Sequence, residues 1–337
     1  MTHPKIRSTA ALAVVSALIS LAGCGGSGDS GPDTGTLRLG ITDSPVDQVS
    51  AVVVQFTGVE LKPKNGPAFS RDFTTSKSIE LLSLQGVNRE MLLENETVPA
   101  GEYEWLRLKV NVDPDVRDSY VTMIDGSECE MRIPSGNQTG LKLIRGFTVG
   151  VGTVTDFTLD FDLRKSLIEP PGQASDSTTC DGRVFQLKPV LRMVDNLQVG
   201  AIGGAIDPSL LTPAACINSP VKPGNVYLFG PVAAGTDPAT VVPDDVDGIA
   251  TDGADPLASA LVSDVDYSYT IGFVPPGKYV VAYTCDADSP LVDADATDTP
   301  PLPAVDEAVS FTPAAGIVVD VTANQIVTVD FAAPPPG

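Results

Sequence analysis

The stretch FTLDFDL, residues 157–163, alternates without a break. Phe157, Leu159, Phe161 and Leu163 fall on one side, and Thr158, Asp160 and Asp162 on the other. A period of two marks an extended strand, because successive side chains leave opposite faces of the pleat. The stretch therefore predicts a half-buried strand, apolar face inward and acidic face in water. The same signal returns on either side of it. EYEWLRLKVNV (102–112) alternates but slips in phase: Tyr103 and Trp105 share one parity, and Leu106, Leu108, Val110 and Val112 the other. A β-bulge at Trp105–Leu106 would reconcile the two halves. AVVVQFTGVELKP (51–63), VFQLKPVLRMV (184–194), NVYLFGPV (225–232), DYSYTIGFVPPGKYVVAYTCD (266–286) and GIVVDVTANQIVTVDFA (316–332) are further strand-forming runs, rich in branched and aromatic residues. TANQ (322–325) reads as a turn inside the last of them. Only SIELLSLQGVNREMLLEN (78–95) carries a short helical signal.

These runs predict an all-β chain. Its composition changes near residue 196. Before that point Arg and Lys punctuate the strands; after it only Lys222 and Lys278 remain, among Asp, Ala, Pro and Val. The change predicts two β-sandwich-like domains, 36–196 and 197–337, the second closing in a frayed APPPG tail.

The chain opens MTHPKIRSTAALAVVSALISLAGC. Lys5 and Arg7 give a positive start, and Ala10 to Leu21 is an apolar run of signal-peptide length, short for a bilayer span. Leu21-Ala22-Gly23-Cys24 resembles a lipobox, the bacterial lipoprotein signal. The resemblance implies removal of residues 1–23 and acylation of Cys24, with more than one chain for stable anchoring. Gly25 in the next position implies the outer membrane by the same likeness. Residues 24–35 then form the lipidated cysteine and a Gly/Ser tether.

The chain holds 43 acidic and 21 basic residues, a net charge of −22. Nucleic acid is excluded as a partner, since phosphate contact needs a basic surface. His3 is the only histidine and lies in the predicted signal. A mature chain without histidine has no Ser-His-Asp triad, Cys-His pair, His-ligated zinc or proximal-His haem. Carboxylate-only chemistry is left open.

Cys129, Cys180, Cys216 and Cys285 remain after Cys24. An exported chain meets an oxidising compartment, so they are expected to pair. Of three connectivities, Cys129–Cys180 with Cys216–Cys285 keeps each bond inside one predicted domain. No C-x-x-C is present, so zinc and redox roles lack support.

Two resemblances follow from longer segments. GTLRLGITDSPVDQVSAVVVQFTGVEL, VPAGEYEWLRLKV, TLDFDLRKSL and LKPVLRMV, in that order, resemble the bacterial domain of unknown function 4382 found in lipoproteins. The likeness covers 36–196 and implies architecture and location, with no catalytic residues. FVPPGKYVVAY (273–283) resembles the carboxypeptidase-regulatory-like and transthyretin-like sandwiches of exported proteins. It implies a turn, with Gly277 supplying backbone freedom, followed by a strand with Tyr279, Val281 and Tyr283 on one face. VPAGEY (98–103) has the same form.

Candidate sites are acidic. TDSPVD (42–47) places Asp43 and Asp47 around Pro45, read as a turn with Asp43 capping backbone. DADSPLVDADATD (286–298) holds Asp286, Asp288, Asp293 and Asp295, which could ligate calcium from a loop pinned by Cys285. PDDVDGIATDGADP (243–256) is a second acidic loop. Neither keeps EF-hand spacing. Calcium is the only cofactor the sequence suggests. Trp105, the lone tryptophan, reads as core.

The sequence thus predicts a lipid-anchored, exported cell-envelope protein with a non-enzymatic binding, adhesion or structural role. Its partner would be a polysaccharide or a surface protein. The alternative is a glycan-cleaving enzyme using Asp160 and Asp162 as its acid pair.

Overall fold

The computed structural model describes residues 33–46, 49–111, 117–133, 140–169, 180, 183–188, 190–212, 216, 223–246, 253–286 and 309–332. It is all-β, and Asp33–Gly337 forms one compact unit. The first half is built on strands β1 (Thr34–Ser44), β2 (Val49–Pro63), β3 (Phe69–Glu80), β4 (Glu90–Pro99), β5 (Gly101–Asn111), β6 (Tyr120–Met123) and β7 (Glu128–Arg132). β8 (Leu141–Leu143), β9 (Phe147–Val149), β10 (Val154–Asp162), β11 (Leu167–Ile168), β12 (Val184–Leu187) and β13 (Leu191–Asp195) follow. One sheet runs β13-β10-β1-β4, with β1 and β10 parallel. The other runs β11-β12-β7-β6-β2-β5-β8, with β3 on the far side of β2 and β9 on β5. Leu37, Leu39, Ile41, Leu159 and Phe161 from the first sheet meet Val54, Phe56, Val59 and Leu108 from the second in one apolar core.

The second half holds β14 (Gly200–Ala205), β15 (Asn225–Phe229), β16 (Ala258–Leu261), β17 (Ser268–Val274), β18 (Gly277–Thr284), β19 (Thr312–Val321) and β20 (Ile326–Thr328). Its sheets are β17-β14-β20 and β16-β15-β18-β19. β15 and β18 are buried on both faces. Val226, Leu228, Tyr279 and Val281 lie in the main core of this half. Tyr227, Phe229, Val280 and Ala282 pack on the other side with Phe311. Burial on both faces is why VYLF (226–229) and YVVAY (279–283) are unbroken apolar runs rather than alternating ones.

The phase slip in β5 is a register shift between Tyr103 and Trp105, opposite Lys62–Pro63, so Glu104 is the extra residue. The bulge lies earlier than expected. Its effect is to send Tyr103 and Leu106 both inward and leave Trp105 half-buried. The Trp105 ring lies under Lys142 (4.2 Å) and Arg107 (5.1 Å). VFQLKPVLRMV is also not one strand: β12 and β13 belong to different sheets. The break spans Lys188 to Val190, where Pro189 has no N–H to give a ladder. The 78–95 segment is helical only over Leu81–Ser83, one 3₁₀ turn.

The two V-P-x-G-x-Y segments fold alike. Tyr103 donates its hydroxyl to the Pro99 carbonyl at 2.7 Å, and Tyr279 to Pro275 at 3.0 Å. Each tyrosine thereby ties the start of its strand to the turn before it, as in a tyrosine corner. Gly101 adopts φ +134°. Gly277 has no such φ; a Cβ there would sit 3.2 Å from the Tyr279 ring, so its service is space rather than backbone freedom. Tyr279→Phe leaves the ring and orphans the carbonyl. It is expected to cost about 1 kcal/mol in chemical denaturation, and Tyr103→Phe about the same.

Candidate functional site

The polar face of β10 is where the two halves meet. The register puts Asp156, Thr158, Asp160 and Asp162 beside Arg38, Gly40, Thr42 and Ser44 of β1. Asp160 is only 6% exposed. The expected half-buried strand is therefore buried on both sides over Thr158–Phe161. A folded chain tolerates this only if the acids are matched, and along this face they are.

Asp156 receives both terminal nitrogens of Arg89 (2.7 and 3.1 Å) and the Asn196 amide (2.7 Å). Arg38 stands 3.8 Å away. Burial works to raise the Asp156 carboxyl, but these hydrogen bonds and charges outweigh it and hold it below the usual carboxylate range. Thr158 donates to Asn196 at 2.8 Å. Asp160 is clamped by Arg192 from β13. Asp162 caps the short helix α1 (Leu163–Ser166), accepting from the Lys165 amide at 3.2 Å. The Lys165 ammonium lies 3.6 Å from Asp162 and donates to the Pro256 carbonyl of the second half at 2.5 Å. Arg164, 2% exposed, lies 4.9 Å from the centre of the Tyr227 ring, also in the second half.

A depressed folded-state carboxyl stabilises above the unfolded pKa, and that contribution disappears as pH falls through the folded value. Asp156→Asn is therefore expected to cost about 2 kcal/mol at neutral pH. The loss should shrink below about pH 4. Urea titrations at neutral and acid pH check both.

Asp43 is the exception on this seam. It takes the next inward position after Leu37, Leu39 and Ile41, at the end of β1, and is 5% exposed. Its amide donates to Leu84, but neither carboxylate oxygen has a hydrogen-bond partner. It does not cap the turn as expected. Burial, followed by the charges of Asp160, Asp162 and Glu80, pushes its carboxyl well above the usual range, and Arg164 pulls the other way. Asp43 and Asp160 line a cavity of about 10 Å³ with Thr42, Ser259, Thr270 and Gly272. Beside it the backbones touch: a Cβ on Gly272 would lie 2.0 Å from the Gly86 carbonyl oxygen.

The other candidates divide as follows. Cys129 is bonded to Cys180 and Cys216 to Cys285, with Cα atoms 5.1 and 5.0 Å apart. Asp286 accepts from the Ser310 amide at 2.8 Å. Asp288, Asp293 and Asp295 lie outside the described residues, as do Cys24 and Asp47. In the other acidic loop, the Asp245 amide donates to the Asp244 carboxylate at 3.1 Å. Among the described residues, no three His, Cys, Asp or Glu side chains group as a metal cage, and no helix is long and apolar enough to cross a membrane.

Sequence reading places Arg164 near the acids of β10 but misses Arg192, the cation that clamps Asp160. It also missed the burial of Asp43, although the parity Leu37-Leu39-Ile41-Asp43 carries that signal.

The family model described as "Domain of unknown function (DUF4382)" matches residues 34–179. The first half of the chain thus resembles that family over β1 to β11; β12 and β13, which complete its sheets, lie beyond the match. No curated protein matches the chain. Among solved structures, the Bacillus anthracis TIE protein is 10% identical with a TM-score of 0.17; the match covers 88% of this chain and 33% of that one. The minor pilin GBS52 of Streptococcus agalactiae is 10% identical, TM-score 0.18, covering 89% and 98%. The major pilin subunit BcpA of Bacillus cereus is 12% identical, TM-score 0.16, covering 88% and 98%. The chain spans about a third of the first of these. TM-scores this low carry no argument about role.

Proposed function

We propose that this chain is exported, held on the outer membrane by acyl chains on Cys24, and works at the cell surface as a non-enzymatic binding, adhesion or structural protein. The observation that carries this reading is the pair of disulfides, one in each half. Two such bonds belong to an oxidising compartment. The lipobox at Leu21–Cys24 supplies the anchor, and the sealed acids of β10 leave Asp160 clamped by Arg192 rather than facing a cleft. An envelope polysaccharide or a surface protein is the fitting partner.

The test has three parts. Cells expressing the full chain are fed an alkyne fatty acid, then shaved with protease, and the purified chain is run on an envelope-glycan panel. Acylation lost in Cys24→Ser, with the chain removed by shaving, supports the reading. Equal labelling of Cys24→Ser, or full protection from protease, contradicts it. Cleavage of any glycan on the panel contradicts the non-enzymatic part.

A further inference from the structure

Along the seam, each acid but one has its counter-group. Asp160 has Arg192, Asp162 has Lys165, and Glu80 accepts from the amides of Val52 and Leu82. Asp43 has two buried oxygens without a hydrogen-bond partner and lines a cavity with room for about one water-sized sphere. Burial favours a proton on Asp43, and the Arg164 charge opposes this only in part; a bound cation would displace that proton and pair the carboxylate. The residues lining it are rich in side-chain oxygen: the carboxyl groups of Asp43 and Asp160 and the hydroxyls of Ser259 and Thr270, with Thr42, whose hydroxyl donates to the Leu84 and Asn88 carbonyls at 2.7 Å. Hard oxygen donors of this kind suit calcium. Magnesium keeps several of its waters, and the cavity has no room for them.

We propose that one calcium ion occupies this cavity, held by Asp43 and Asp160 of the first half and by oxygens of the Ala258–Ser259 and Thr270–Gly272 segments of the second. The ion bridges the two halves, so calcium strengthens the seam. This site is separate from the acidic loop at Asp286, and it does not rest on the surface reading above.

The test uses the purified full chain, stripped with chelator, at constant ionic strength. Thermal unfolding and calorimetric titration are followed with calcium chloride alone, then magnesium or sodium chloride. Calcium is expected to raise the unfolding temperature. Asp43→Asn should bind on the order of 10-fold more weakly or worse, while Asp286→Asn should bind as the unaltered chain does. If Asp43→Asn does not fold, Ser259→Ala takes its place and must weaken calcium binding. No response to calcium, an equal response to magnesium or sodium, or a response lost only in Asp286→Asn overturns the proposal.

Discussion

Replacing Cys216 and Cys285 together by serine is expected to lower stability by about 4 kcal/mol. The bond closes a loop of 69 residues, and the loss follows from the wider unfolded ensemble once that loop is released. Both cysteines are nearly buried, Cys285 just beyond β18 and Cys216 against the Leu210 carbonyl, so the serines also bring hydroxyls into apolar surroundings. The unfolding midpoint of the second half should fall by roughly 10 °C. Circular dichroism melts of the double variant check this, and the unaltered chain under reductant, which opens Cys129–Cys180 as well, should melt lower still. A loss below about 1 kcal/mol would mean that the unfolded chain is already restrained there.

Gly272→Ala is expected to cost about 2–3 kcal/mol and to loosen the seam. The added Cβ meets the Gly86 carbonyl oxygen at 2.0 Å, its carbon at 2.7 Å and the Val87 Cα at 3.2 Å. All three are backbone atoms, so no side chain can turn aside. Gly272 is not among the residues with positive φ, so the cost arises between the halves and not within its own strand. Gly203→Ala is the control. It lies in the neighbouring strand, and its nearest atoms are at 3.5 Å, ordinary contact. Limited proteolysis should cut Gly272→Ala faster near residues 85–88, and Gly203→Ala at the unaltered rate. Equal rates would show that the close backbone contact does not hold the halves together.

The strands were legible in the sequence because alternation reports directly on which side chains share a face. β10 is the clearest case: Leu159 and Phe161 enter the core as read, and Thr158 and Asp160 take the opposite face. What alternation leaves unsaid is what covers the polar face. A row of acids looks the same whether it meets water or a second layer carrying Arg192, Lys165 and carbonyls. That is why Asp160 was read as solvated and is buried. The β5 bulge was legible from the slipped phase, but its position was not, because Glu104 can be looped out as readily as its neighbours. Trp105 was read as core, a lone tryptophan beside a bulge; the bulge leaves it half-buried among cations. Gly272 gave no signal, since its need for space comes from a backbone 186 positions away in the chain.

Carboxyl footprinting of the native full chain, using carbodiimide coupling read by mass spectrometry, tests the sealed seam most directly. Asp43 and Asp160 should stay unmodified while Asp72 and Asp320, whose side chains are 63% and 70% exposed, react readily. Modification of Asp160 at the rate of Asp72 would mean an open acidic cleft, and would contradict the seam and the non-enzymatic reading that it supports.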